Sequence, residues 1–243
     1  MASETRPSAS RRERPAKPAL TREGIVKTAV ELMRTEGLER TTMRRLAQEL
    51  DTGAASLYVY VRNTAELHAA MLDELLGTVD LSPSRGRGDW RNGLAQILTS
   101  YTEVLFEHPS LARSALVARP SGPCYLALVE ALLSLLSEGA VPADRAAWGV
   151  DLLLQFATTN AAEHGTREQA STAQEEEEVL AVALRDVSSE DYPHIAAIGA
   201  DLLSGPGRDR FAWGFDVLIN GVLHTPRPDK GQSRRVAEQA RGH

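Results

Sequence analysis

One segment near the N-terminus, TMRRLAQELDTGAASLYVY at residues 42–60, most constrains what this chain can fold into. Two short helical patterns flank a turn at Asp51, Thr52 and Gly53, and the second is rich in small and hydroxyl-bearing residues. This is the pattern of a helix-turn-helix, whose second helix enters the major groove of DNA. Because the chain continues to residue 243, a second and larger domain is expected beyond it.

The charge is divided unevenly along the chain. Residues 1–62 hold 12 Lys and Arg against 8 Asp and Glu, a net charge of +4, whereas the remainder holds 15 against 25, a net charge of −10. The positive charge therefore accompanies the helix-turn-helix, where phosphate groups need to be neutralised. The acidic remainder is expected to avoid DNA.

Several classes of protein are excluded by what the sequence lacks. A single cysteine, Cys124, excludes an internal disulfide and a cysteine-based zinc site. No apolar run approaches the roughly 20 residues of a membrane span, and the N-terminus has no secretory apolar segment, so a cytoplasmic protein without a membrane partner is expected. Neither catalytic glycine motifs nor His-E-x-x-His metal spacing occurs, so we expect no enzyme, no cofactor and no metal.

Helical periodicity without alternating β-branched runs predicts an all-α fold. The expected segments are a disordered basic arm at 1–20, a helix-turn-helix domain at 21–64, a linking helix at 65–80, a larger helical domain at 81–225 and a flexible tail at 226–243. Within them, Ala54 to Val61 is predicted as the third helix, Trp90 to Glu107 and Pro142 to His164 as long helices, and Gly165 to Gln174 as a loop. Inward-facing residues are predicted at Leu46, Ala47, Leu50, Leu57 and Val61.

The segments EGLERTTMRRLAQEL and SLYVYVRNTAEL, within about residues 20–76, resemble the DNA-binding domain of the TetR family of transcriptional regulators. More weakly, Asp89-Trp90, His108, Ala118-Arg119-Pro120, Tyr125, Glu163-His164 and RFAWGFDVLINGV resemble the tetracycline-repressor branch. The resemblance implies an N-terminal three-helix helix-turn-helix DNA-binding domain and a larger C-terminal helical domain for ligand binding and dimerisation. It implies operator DNA as a partner, a homodimer through the helices near 142–164 and 208–224, and one ligand pocket per subunit.

The same resemblance assigns candidate DNA contacts. Arg44 matches a base-contacting arginine, which can bind a guanine edge bidentately, although it could also be a solvated charge. Arg45 could serve phosphate, and one of the recognition-helix tyrosines could instead pack against the helix pair. The arm could lie in the minor groove or have no role. The residues expected at the DNA are Thr42, Arg44, Arg45, Ala55, Ser56, Tyr58, Tyr60, Arg62, Arg11, Arg12 and Arg14. Ala54 and Thr64 replace family DNA contacts, so the operator sequence is not carried over.

For the ligand, Asp80, Ile97, Ala115 and Asn160 stand where the tetracycline repressor holds its drug–magnesium complex, so no tetracycline–Mg²⁺ binding is expected. A largely apolar pocket for a bulky lipophilic molecule is implied instead. Its expected lining is Ile97, Tyr101, Arg119, Pro120, Leu128, Ala131, Leu132, Ala147, Asp151 and Asn160.

Asp151 stands out because apolar residues flank it in WGVDLLLQF, and a carboxylate is costly to bury unless it is paired. Arg119 is its candidate partner. The sequence leaves open whether Asp151 anchors the ligand or forms an ion pair at the dimer interface or within the domain.

The expected mechanism is that of a repressor. A dimer binds a palindromic operator with recognition helices about 34–36 Å apart, and ligand binding moves the linking helix so that this spacing is lost. A transcriptional activator, or a helical interaction protein that has lost specific DNA binding, remain the alternatives.

Overall fold

The structure, a computed structural model, describes residues 19–86, 88–170 and 172–228, and in these ranges it is all-α without a strand. The predicted arm residues Arg11, Arg12 and Arg14 lie outside the described residues, as does most of the predicted tail. The predicted fold class is confirmed for the described part. None of its helices is long and apolar enough to cross a membrane.

The N-terminal domain is built from three helices, α1 (Arg22–Glu36), α2 (Met43–Glu49) and α3 (Ala54–Leu57). The Thr21 hydroxyl caps α1 by accepting a hydrogen bond from the Gly24 amide at 3.0 Å. At its other end α1 stops at Gly37, whose φ of 87° favours glycine and whose N–H bonds to the Met33 carbonyl. The caps therefore fix both ends of α1.

The predicted inward face of this domain is confirmed at Leu46, Ala47, Leu57 and Val61, which are buried, whereas Leu50 is half-buried and packs against the core. The predicted length of the third helix is wrong. Regular helix ends at Leu57, and a turn continues to Val61, whose N–H bonds to the Leu57 carbonyl at 3.0 Å. The chain leaves the helix here because Asn63, two residues on, is the extended N-cap of the next helix.

Helix α4 (Thr64–Leu76) belongs to both halves of the molecule. Its cap is the Asn63 side chain, which accepts a hydrogen bond from the Glu66 amide at 2.8 Å. One side of α4 packs on α1, and the other packs on helices of the larger domain. The hydrophobic core is accordingly continuous from Ile25 to Ile219.

The larger domain contains seven helices among the described residues: α5 (Trp90–Glu107), α6 (Pro109–Ala115), α7 (Pro123–Glu138), α8 (Ala143–Gln169), α9 (Ala173–Arg185), α10 (Pro193–Leu202) and α11 (Gly207–His224). Helix α8 lies at the centre and packs on α5, α6, α7 and α11. Helices α9 and α10 pack mainly on each other.

The predicted loop at Gly165 to Gln174 is wrong at both ends, since α8 runs to Gln169 and α9 begins at Ala173. Gly165 is buried inside the helix, and a Cβ atom there would lie 2.0 Å from Pro109 Cβ at the start of α6. This glycine allows two helices to approach closely and does not end the helix.

Candidate DNA-binding surface and effector pocket

The surface around α3 has the exposure expected of a contact surface. Ala55 and Ser56 are exposed, and Tyr58 and Val59 leave 51% and 81% of their surfaces accessible. Leu57, between them, is fully buried and holds the turn against α2. Tyr60 is half-buried and packs on the core, so of the two tyrosines it is the one that packs against the helix pair.

On α2, Arg44 is exposed, whereas Arg45 is engaged within its own domain. The Arg45 guanidinium donates to the Glu36 carboxylate on α1 and, at 2.8 Å, to Glu49 Oε2. Hydrogen bonding to Arg45 lowers the pKa of Glu36, and the two carboxylates raise the pKa of Arg45. The Arg45 side chain therefore already ties α1 to α2. The Glu36 and Glu49 carboxylates compete with the phosphate contact that was predicted for it.

Two further predicted DNA residues have local partners. The Thr42 hydroxyl caps α2 by accepting from the Arg45 amide at 3.1 Å. The Arg62 guanidinium donates to Glu66 at 3.0 Å, yet its side chain is 87% exposed. Hydrogen bonds from the Arg62 backbone and side chain lower the pKa of Glu66. Both residues remain at the surface of the domain.

A small cavity of about 50 Å³ lies between α5, the end of α6, α7 and α8. Its lining comprises Tyr101, Ala115, Leu116, Arg119, Pro120, Tyr125, Asp151, Leu154, Gln155 and Thr158. The volume suits one or two water molecules, so a larger guest has to push part of the wall aside. The loop that carries Arg119 and Pro120 is the part of this wall that lies outside any helix.

One buried hydroxyl pair lines the cavity. The Tyr101 hydroxyl lies 2.8 Å from Thr158 Oγ1, which is also 2.8 Å from the Leu154 carbonyl oxygen. Because Thr158 has one hydroxyl proton and donates it to that carbonyl, Tyr101 is the donor to Thr158. Burial raises the pKa of Tyr101 to about 12, so its phenol stays protonated. Because its one proton is donated to Thr158, the phenol oxygen is left to accept a hydrogen bond from a guest.

At the mouth of the cavity, the Arg119 guanidinium donates directly to Asp151 Oδ1. The predicted partner of Asp151 is thus found, and neither side chain is buried, since that of Asp151 is 52% exposed and that of Arg119 is 57% exposed. The contact with Asp151 raises the pKa of Arg119. An exposed ion pair contributes about 0–1 kcal/mol to the stability of the fold, so folding stability alone does not account for this pair.

Both halves of this architecture match one family. Residues 25–71 match the family model for bacterial regulatory proteins of the tetR family, and residues 82–225 match that of the tetracyclin repressor-like C-terminal domain. The chain belongs to the TetR family of transcriptional regulators.

TetR-family relatives cover nearly the whole chain. A putative transcription regulator from Streptomyces coelicolor is 59% identical, covers 87% of this chain and 98% of its own, and has a TM-score of 0.74. ActR from Streptomyces coelicolor in complex with actinorhodin is 33% identical over 85% of this chain and 96% of its own, with a TM-score of 0.75. The transcriptional repressor DrrR1 of Streptomyces coeruleorubidus is 26% identical over 92% of this chain and 84% of its own.

Only part of the predicted effector lining of this TetR-family protein borders the cavity. Tyr101, Arg119, Pro120 and Asp151 do. Six others do not: Ile97, Leu128, Ala131 and Leu132 are buried in the core, Ala147 is exposed on α8, and the Asn160 amide donates to the Phe156 carbonyl. These positions were taken from a repressor with a ligand pocket, and in this chain apolar side chains close the space. Contact with an effector at the four core residues requires repacking.

Other lining residues were missed by the sequence analysis. Leu154, Gln155 and Thr158 follow Asp151 by three, four and seven positions, so they share its face of α8. That spacing was the signal that could have found them. Among the described residues, no group of three His, Cys, Asp or Glu side chains could hold a metal ion, and the expected absence of a metal stays a prediction.

Proposed function

We propose that this TetR-family regulator is a homodimeric repressor that binds a palindromic operator and is released by a bulky, largely apolar small molecule. The observation that carries the proposal is that the wall of the cavity and the helix leading to the DNA-binding domain are in direct contact. Ala115 and Leu116 border the cavity, and the neighbouring Ser114 hydroxyl lies 2.9 Å from His68 Nδ1 on α4.

The DNA-binding part of the proposal rests on the exposed surface of α2 and α3. Arg44 offers a guanidinium to a base edge, and Ser56 and Tyr58 offer hydroxyls to phosphates. The 81% exposure of Val59 is costly in water and suits contact with a thymine methyl group. The two recognition helices of a dimer read half-sites about 34–36 Å apart. Because the dimer is two-fold symmetric, the operator is palindromic.

Dimerisation is supported by apolar side chains on the outer faces of the two predicted interface helices. On α8, Trp148 and Leu152 are 54% and 43% exposed, and on α11, Trp213 and Val217 are 68% and 46% exposed. Each pair is spaced by four residues, so each forms a stripe along its helix. Helices α8 and α11 pack together, and we infer that the two stripes form one face that two-fold symmetry pairs with itself. We call these four residues the α8–α11 face.

The effector class follows from the lining of the cavity. Its walls offer apolar surface, a phenol oxygen at Tyr101 that can accept a hydrogen bond, and an ion pair at the mouth. A polycyclic molecule with a few polar groups matches this chemistry, and ActR, a relative, has been crystallised with actinorhodin. We therefore propose an aromatic natural product of that class, bound without a metal.

Release follows from the small size of the cavity. A guest larger than about 50 Å³ has to displace the Arg119–Pro120 loop or the end of α6. Because α6 contacts α4 through Ser114 and His68, this displacement is transmitted to the linking helix. The effector shifts the protein towards the released state only as far as it binds that state more tightly.

Retention of DNA by the purified protein tests the proposal. Operator sites are selected from a random duplex library, and affinity is measured against salt and competitor DNA. We expect nanomolar, palindromic sites bound by two protomers, with Arg44→Ala weakening binding by about 10- to 100-fold, the loss of a bidentate base contact. Arg34→Ala removes the same charge from α1 and serves as the control. Sequence-blind binding, or equal losses for the two variants, contradicts the proposal.

Effector binding is tested with actinorhodin as the first probe, by its displacement of the selected operator. Asp151→Asn separates the two roles that the sequence leaves open. If Asp151 anchors the effector, more actinorhodin is needed for release and stability hardly changes. If it serves only the ion pair with Arg119, the release curve is unchanged.

A further inference from the structure

A buried carboxylate lies in the last turn of the linking helix. Asp73 on α4 is 8% exposed and stands among the buried residues Met71, Leu72 and Leu75. Burying a charged group without hydrogen bonds is strongly unfavourable, so its partners indicate why it is there.

Asp73 caps a helix of the other domain. Its Oδ1 accepts a hydrogen bond from the backbone N–H of Tyr125 at 2.9 Å, in the first turn of α7. The first N–H groups of a helix have no partner inside the helix, and they carry partial positive charge. The N-cap residue of α7 is Gly122, which has no side chain with which to make this bond. Asp73 therefore supplies across the domain boundary the cap that α7 lacks.

The absence of a side chain at Gly122 leaves room for this carboxylate. Its φ of −84° and ψ of −177° are open to any residue, so backbone conformation does not demand glycine. A Cβ atom at this position would, however, lie 2.1 Å from Asp73 Oδ2. The glycine is needed for close approach, and the contact involves both carboxylate oxygens.

The capped segment is also a wall of the effector cavity. Tyr125 lines the cavity, and Arg119 and Pro120 precede Gly122 by three and two residues. Cys124 lies at the same junction, where burial, then the charges of Asp73 and Glu74, raise the pKa of its thiol. We call the group formed by Asp73, Gly122, Cys124 and Tyr125 the α4–α7 joint.

We propose that Asp73 is a positioning residue that couples the effector cavity to the DNA-binding domain by holding the start of α7 to α4. This rests on the proposed function, since it names a second contact with α4, beside that of Ser114 with His68, through which operator release is transmitted. When a guest moves the Arg119–Tyr125 wall, the carboxylate moves α4 with it. A core residue that served stability alone would transmit nothing.

The coupling can be tested with operator DNA as the only ligand, because a ligand that binds one conformation more tightly shifts the population of conformations at the joint as well. The reaction of Cys124 with Ellman's reagent reports on the joint, and the signal is unambiguous because the chain has one cysteine. In the wild type, saturation with the selected operator should change the rate of labelling by about fivefold or more, the usual lower range of such couplings.

Two variants break the joint from opposite sides. Asp73→Leu removes the acceptor, and Gly122→Ala inserts a methyl group against the carboxylate. Both should still bind operator, while the operator-induced change in labelling rate should fall to within about twofold of no change. Asp73→Asn keeps an oxygen that can accept from the Tyr125 amide, so it should retain most of the effect. Thr102→Val is the matched control, because it removes a buried hydroxyl whose bond to Leu98 stays within α5.

The outcomes separate two failures. Absence of specific operator binding by the wild type overturns the proposed function and the coupling with it. Specific binding without any change in Cys124 labelling overturns the coupling alone, as does a full response in Asp73→Leu or Gly122→Ala. A double variant adds a check on the geometry. Gly122→Ala should lower the thermal midpoint in the wild-type background and not in Asp73→Ala, and an equal loss in both overturns the proposed contact.

Discussion

The α8–α11 face makes a quantitative prediction about assembly. Replacing Trp213 with serine removes the most exposed large side chain of that face, of which 68% is accessible in the single chain. We expect the variant to be a folded monomer at concentrations where the wild type is a dimer, because Trp213 packs little within its own subunit.

The magnitude follows from the exposed area. An aromatic side chain carries about 150–250 Å², so the accessible two thirds of Trp213 amounts to about 150 Å². At about 25 cal/mol per Å², burying it contributes roughly 4 kcal/mol per protomer and roughly 8 kcal/mol per symmetric dimer. Ordering costs offset part of this gain. If half is realised, the dissociation constant of the dimer rises about 1,000-fold.

Sedimentation from nanomolar to micromolar protein measures this shift, with circular dichroism to verify folding. Leu126→Ser is the control, since Leu126 is 60% exposed but lies on α7, outside the face. A wild type that is monomeric throughout, or a Trp213→Ser variant with an unchanged dimer constant, would refute the reasoning from exposed area.

Three further predictions concern other parts of the chain. Tyr101→Phe should lower the free energy of unfolding by about 1 kcal/mol, because Thr158 keeps its bond to Leu154; urea denaturation measures it, and a loss above about 3 kcal/mol would contradict the assigned donor. Burial lowers the pKa of His68 and His108, so the native state binds fewer protons than the unfolded one, and stability should fall as pH drops below about 6.5. In His68→Gln the stability should fall less between about pH 7.5 and about pH 5.5 than it does in the wild type. An equal fall would mean that other groups cause it. Deleting residues 2–19 should weaken operator binding and make its dependence on salt shallower; an unchanged slope of log K against log salt rules out a phosphate-binding arm.

The helices were predictable from sequence where local signals agree. Helix α5 has the predicted bounds, Trp90 to Glu107, because Asp89 caps its start and Pro109 begins the next helix. Gly165 was misread because a glycine that ends a helix and a glycine that admits a neighbouring helix look alike in sequence. Only the position of Pro109, which is 56 residues earlier in the sequence, distinguishes them.

The site was less predictable for the same reason. Arg119 and Asp151 were paired correctly from their charges, but the exposure of Asp151 depends on which face of α8 it occupies. Asp73 gave no signal, because its partner is a backbone amide 52 residues away and not an opposite charge. Contacts that join distant segments through backbone groups leave no residue pattern for sequence reasoning to detect.

The ion pairs of Arg45 with Glu36 and Glu49 close entirely within the first two helices, and Asn63 begins α4 with its own cap. The DNA-binding domain thus has ion pairs and a cap of its own, beside the apolar core that it shares with the rest of the molecule. In a chimaera joined at Asn63, residues 42–62 would be replaced by those of another regulator. Leu46, Ala47, Leu57 and Val61 would be kept, because they are buried in the core. The C-terminal domain would then be directed to a different promoter. The N-terminal domain could therefore be exchanged when genetic circuits are engineered.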